Sequence, residues 1–171
     1  MPHPVIVVDY DPRWPAQFEA LWRRIGGALG DLAAAIEHVG GTAVPGLAAK
    51  PVIDIDVLLW SSGGLPEAIE RLAALGYVHE GDLGIAGREA FRQPPDQPAH
   101  HLYVCIPDSE EYRRHLAFRD YLRAHPESVS SYAELKRGLA RQYRDDREKY
   151  VSGKDEFVNE ILRRAIPPTI G

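Results

Sequence analysis

The spacing of apolar residues changes several times along this chain, and each change predicts an element. Val5-Ile6-Val7-Val8 is a short β-branched run that predicts a strand. Trp14, Phe18, Leu21, Trp22 and Ile25 then fall near helical spacing, with Gly30 as the stop. "AAIEHV" predicts a brief strand ending in a Gly40-Gly41 turn, and "TAVPGLAAKP" a loop or single helical turn, because Pro45, Gly46 and Pro51 forbid a long helix. "VIDIDVLLW" predicts a strand and "LPEAIERLAALG" a helix closed by Gly76. "YVHEG", "EAFRQ" and "HHLYVCI" predict three more short strands.

From Asp108 the texture becomes helical. Asp108 with Glu111 has the spacing of a capping box. Tyr132, Leu135, Leu139 and Tyr143 mark one helix, and Phe157, Ile161, Leu162 and Ala165 another. The expected architecture is α/β of the α+β kind: a mixed sheet with flanking helices over residues 1–108, and a helical C-terminal segment, 109–171, packed on it within one compact domain.

Composition narrows the class. With 44% hydrophobic and 26% charged residues, the 171-residue chain is ordinary globular protein, not a disordered one. A net charge of −5 argues against nucleic acid or an anionic membrane as the main partner. The single cysteine, Cys105, excludes an intrachain disulfide and suits the cytoplasm. The first residues lack the basic and apolar regions of a signal peptide, and no apolar run approaches the length of a bilayer span.

The chemistry concentrates between His38 and Leu59. On a strand, Asp54 and Asp56 share one face, roughly 6–7 Å apart, while Ile53, Ile55, Val57 and Leu59 take the other. Two bare carboxylates among apolar flanks repel, so a cation should compensate them: Mg²⁺, Mn²⁺ or a basic side chain. The alternative is an edge strand with both acids solvated. Gly40-Gly41 lets backbone amides approach a phosphate, although a glycine pair also makes a plain tight turn. Together, a phosphate-holding turn and an acid pair on the next strand are the parts of metal-assisted phosphoryl or nucleotidyl transfer. Lys50, just before the acid strand, could meet a triphosphate, and Arg92, if it faces the acids, could offset charge.

Val39-Gly40-Gly41 followed by Asp54-Ile55-Asp56 resembles the nucleotidyltransferase superfamily signature. More closely, "VDYDPRWP", "EHVGGTAVPGLAAKPVIDIDV", "HHLYV" and "RHLAFRDYLRAHPE" resemble the bacterial GrpB family, also called UPF0157, over about residues 5–165. The resemblance implies a minimal nucleotidyltransferase-like core, a domain also found fused to dephospho-CoA kinase in some bacteria. Two departures stand out. Family members usually carry Gly-Ser after His-Val, whereas this chain has Gly40-Gly41, which leaves backbone amides and Thr42 to meet phosphate. Where active nucleotidyltransferases add a third acid from a later strand, His101 takes its place. The resemblance also places Arg119 and Lys154 at the pocket.

The resulting expectation is an enzyme in which Asp54, Asp56 and His101 hold Mg²⁺ or Mn²⁺, with His101 as third ligand or base. Gly40, Gly41, Thr42, Lys50, Arg92, Arg119 and Lys154 would hold a nucleoside triphosphate, whose nucleoside monophosphate passes to a small acceptor. The alternative is a non-catalytic nucleotide- or phosphometabolite-binding module serving a partner enzyme.

Overall fold

The computed structural model describes residues 3–166; the last five residues of the expected C-terminal segment and the first two of the chain lie outside that range. Five strands form one mixed sheet in the order β1-β2-β5-β4-β3. They are β1 (Ala33–Val39), β2 (Ile53–Leu59), β3 (Val78–Gly81), β4 (Arg88–Arg92) and β5 (His100–Cys105). β2 runs parallel to β5, and the other neighbouring pairs are antiparallel. The acid strand is therefore flanked on both sides, which rules out the solvated edge for Asp54 and Asp56.

The alternation in β2 sorts its residues between two layers. Ile53, Ile55, Val57 and Leu59 join Leu102 and Val104 of β5 and Phe91 of β4 in the main core. That core is closed by α1 (Trp14–Leu29), through Trp14, Leu21, Ile25 and Leu29, and by α2 (Leu65–Ala74), through Ala68 and Leu72. Each fully buried Leu or Ile here contributes about 1.5–3 kcal/mol. Asp54 and Asp56 point to the other face, beneath the helical third: α3 (Glu110–Ala124), α4 (Pro126–Gln142), α5 (Arg147–Ser152) and α6 (Asp155–Ala165). That third has its own apolar clusters, in which Leu122, Tyr132 and Ala133 pack with Val44, Leu47 and Ala48, and Leu139 and Tyr150 with Val5.

Two local expectations are corrected. Val5–Val8 does not join the sheet: Val8 makes a single bridge to Ala49, with N–H···O distances of 2.9 and 3.0 Å, and Val5 and Val7 pack against the helical clusters instead. The cap of α3 is Ser109, not Asp108, because the Ser109 hydroxyl accepts the Tyr112 N–H at 3.2 Å. The loop after β1 is a single 3₁₀ turn, Gly41–Ala43, as the prolines require.

Gly40 fixes how that turn meets the sheet. Its φ of 75° and ψ of −171° are essentially confined to glycine, and a Cβ there would strike the Asp54 carboxylate. Gly40→Ala should therefore cost about 1–3 kcal/mol in urea unfolding, from backbone strain before any clash is counted. An unchanged unfolding midpoint would show that the turn can relax away from Asp54.

Candidate functional site

The parallel pairing of β2 and β5 sets Asp54 opposite His101 and Asp56 opposite Tyr103. Directly opposed residues share a face, so these four side chains project together toward the helical third. Between them and the helices lies a cavity of about 380 Å³. The Gly40-Gly41-Thr42 turn forms one wall, and α4, α5 and the α5–α6 junction supply Tyr132, Lys136, Arg147, Tyr150 and Lys154.

The two aspartates turn out to be unlike. Asp54 lines the cavity and accepts a hydrogen bond from His101 Nδ1 at 2.8 Å through Oδ1, while its Oδ2 lies against Gly40. Asp56 is wholly buried and sits behind His115, whose Nδ1 is 2.6 Å from Asp56 Oδ2. The other ring nitrogen of His115 is 2.9 Å from Glu111, one turn earlier on α3. Burial pushes the Asp56 carboxyl up, against the hydrogen bond from His115. Burial alone would lower His115, but its bonds to Asp56 and Glu111 outweigh that and raise it to about 9. His115 is thus an imidazolium clamped between two carboxylates at neutral pH. The compensating cation that the acid pair demands is, at Asp56, a side chain.

The rest of the cavity is strongly cationic. Lys154 and Lys50 lie over the Tyr150 ring, 4.7 and 5.5 Å from its centre, and Lys136 lies 4.6 Å from the centre of Tyr132. These ammonium groups gain from the aromatic faces but have lost water. Burial, with repulsion from Lys154 and Lys50 against attraction from Asp54, brings Lys136 down to about 7. Burial and repulsion from Lys50 bring Lys154 to about 8. Arg88 stacks on Tyr103 with its guanidinium carbon 4.1 Å from the ring centre.

Among the described residues, three buried side-chain polar atoms have no hydrogen-bond partner: Asp56 Oδ1, Arg88 Nε and Tyr150 OH. Arg88 and Tyr150 line this cavity, and Asp56 lies behind His115, which also lines it. Polar atoms left unpaired in a protein interior are costly, and these three lie in or behind the cavity wall, closed off from its free space.

Of the residues named from sequence, Gly40, Gly41, Thr42, Lys50, Asp54, His101 and Lys154 come together around the cavity. Two do not. Arg92 is exposed and outside it; of the two β4 arginines that share this face, Arg88 is the one that lines the cavity. Arg119 is buried in ion pairs with Glu37 at 2.6 Å and Asp120 at 2.9 Å, beside a separate cavity that it lines with Arg123. His38, also buried, sits 2.8 Å from the Thr42 hydroxyl and is pushed down by burial to about 4. Sequence reasoning passed over His115 and Lys136 as members of the site. The signal was there: Lys136 interrupts the Tyr132–Leu135–Leu139 stripe, and His115 stands three residues after buried Tyr112.

A titration tests the clamp. Because the folded state lifts His115 from an ordinary value of 6.5 to about 9, the clamp's contribution is fully present below about pH 6.5 and is lost as pH rises through about 9. The stability difference between wild type and His115→Gln, measured by thermal unfolding, should be largest at the acid end of that window and shrink across it. Lys136 and Lys154, whose values are lowered, act with the opposite sign in both proteins, so the difference is the readout. A difference independent of pH would remove the clamp.

Comparison with known proteins bears on the family and the fold. The model of the GrpB protein family matches residues 4–164. The UPF0157 protein YqkA of Bacillus subtilis is 37% identical over 161 residues, covering 94% of this chain but 47% of that protein. The chain thus spans about half that relative's length. A dephospho-CoA kinase of Mycolicibacterium paratuberculosis is 30% identical over 95% of this chain and 46% of its own. The crystal structure of the conserved protein GrpB from Enterococcus faecalis superposes with a TM-score of 0.85 at 35% identity, covering 94% of this chain and 96% of that one. The Cid1 poly(U) polymerase, at 10% identity, superposes with a TM-score of 0.54 over 80% of this chain and 42% of its own, a likeness of fold. The chain belongs to the GrpB family, with a nucleotidyltransferase-like fold.

Proposed function

We propose that the cavity binds a nucleoside triphosphate and that the chain transfers its nucleoside monophosphate to a small acceptor, with pyrophosphate leaving. The observation that carries this reading is the gathering of Lys50, Arg88, Lys136, Arg147 and Lys154 around one cavity beside Asp54 and the Gly40-Gly41 turn. A row of half-desolvated cations held on aromatic faces suits a polyanion of several charges better than a neutral or singly charged ligand. The triphosphate would lie along the lysines, with the Gly40-Gly41 turn against one phosphate. Lys136 is central: a Cβ at position 41 would come within 2.5 Å of its Nζ, so Gly41 leaves the ammonium its place at the turn.

A divalent cation fits the acid end. Asp54 lines the cavity and gives only Oδ1 to His101, and Mg²⁺ is commonly held by one or two carboxylates plus substrate phosphates. Such an ion, when bound, polarises the reacting phosphate. The protein's own part is to hold the phosphates on its lysines and to fix His101 by its bond to Asp54, leaving Nε2 of that ring for the acceptor's proton.

A second reading, a non-catalytic binding module serving a partner enzyme in the cytoplasm, is favoured by the hydrogen bonds that already occupy both aspartates. The match to part of a dephospho-CoA kinase supports that kind of partner.

Calorimetric titration with ATP, CTP, GTP and UTP, with and without Mg²⁺ or Mn²⁺, tests the first reading. One nucleotide should bind, more tightly with metal. Asp54→Asn should abolish the metal dependence, and Lys136→Met should weaken binding about tenfold or more, equivalent to about 1.4 kcal/mol. The Lys136→Met protein should be as stable as wild type or more so, since a buried charge is removed. Folded protein that binds no nucleotide at millimolar concentration would sink the reading.

A further inference from the structure

We propose that the second cavity, the one lined by Arg119 and Arg123, is a binding site for a small organic carboxylate held by the free end of Arg123. The inference stands apart from the nucleotide reading.

The site is built where several elements meet. Its cavity, about 280 Å³, lies between the stretch that opens α1, the end of β1, the turn that follows and α3. Ligand pockets usually run from about 300 to 1,000 Å³, so the space suits a small molecule. Tyr10, Phe18 and Pro45 give it an apolar side, and Phe18 is fixed there by stacking on His38 with ring centres 4.7 Å apart.

The charge comes from α3, where Arg119 and Arg123 stand one turn apart. Arg119 is fully engaged, with Glu37 at 2.6 Å, Asp120 at 2.9 Å and the His38 carbonyl at 3.1 Å. Arg123 is not. Its Nε donates to the Ala43 carbonyl at 2.9 Å, which orients the guanidinium, and among the described residues its two terminal nitrogens have no partner. Burial and repulsion from Arg119 disfavour the Arg123 charge, against attraction from Asp120 and Glu37, and a bound anion would offset both.

Glu37 decides which anion. Its carboxylate lines the same cavity, so a phosphate dianion would be repelled more than a monoanion. A carboxylate also matches the guanidinium fork with two parallel hydrogen bonds. Thr42 lines both cavities, so the occupant would rest against the back of the turn that walls the cationic one.

Two-dimensional NMR of the full chain, reading the Arg123 Nε–H and the Thr42 and Ala43 amides, tests this with benzoate as the probe. Benzoate should shift all three signals saturably. Benzamide, its neutral isostere, and phenyl phosphate, a dianion, should bind more weakly at the same signals. Arg123→Met, read at the two amides, should weaken benzoate about tenfold or more, because charge-assisted hydrogen bonds are lost. Arg123→Lys, which keeps the charge without the fork, should fall between. Lys136→Met should leave these shifts unchanged, since its ammonium belongs to the other cavity. The inference is overturned if benzamide binds as well as benzoate, if phenyl phosphate binds more tightly, or if Arg123→Met binds normally. Loss of the shifts in Lys136→Met would place the anion among the lysines and overturn it too. So would the absence of any saturable shift at millimolar benzoate, which would leave the nucleotide reading standing.

Discussion

A carboxylate with no exposed surface, on a strand paired on both sides, must be given a counter-charge or be protonated. Asp56 is that carboxylate, and His115 is the answer the chain supplies. Removing one partner of a buried ion pair typically costs about 3–5 kcal/mol, so this contact does more than decorate the site. It ties α3, and with it the helical third, to the centre of the sheet. With the Arg119–Glu37 pair, it holds the helical layer over the polar face of β2 and β5, with the cavity between them.

On the opposite wall the balance is reversed. Acids are scarce near Lys50, Lys136 and Lys154, and aromatic rings take the place of counter-ions. A ring face stabilises an ammonium by about 0.5–2 kcal/mol, less than water does, and this is why burial lowers Lys136 and Lys154. The glycine turn belongs to the same design. Gly40 clears the Asp54 carboxylate, and Gly41 clears Lys136 and Ala49. Two adjacent positions without side chains let an acid and a base approach the same stretch of backbone from opposite directions.

Much of this was legible in the sequence because strand alternation is a strong constraint. It put Asp54 and Asp56 on one face and the β-branched residues on the other, and the Gly40-Gly41 turn beside them. His100, next to His101 on the strand, faces the other way, 2.6 Å from the Tyr77 hydroxyl. What could not be read was pairing across long separations. His115 meets Asp56 across 59 positions, and Lys136 meets the turn across more than 90. Neither contact follows from local periodicity. Arg92 shares a face with Arg88, so alternation could not choose between them, and of the two it is Arg88 that lines the cavity. Arg119 has the charge of a phosphate ligand but spends it on Glu37 and Asp120.

The missing third acid takes on a different meaning in this arrangement. In a site that neutralised its substrate with metal alone, His101 in place of an acid would be a loss. Here the cations come from lysines, arginines and His115, and another carboxylate beside Asp54 would have to be compensated in turn. A histidine at that position binds Asp54 through one nitrogen and adds no fixed negative charge. The serine absent from the turn fits the same logic, since a side chain at position 41 would displace the Lys136 ammonium. The two departures from the family's usual pattern therefore act together. Both leave the cavity poorer in acids and richer in side-chain cations than the pattern the resemblance implies.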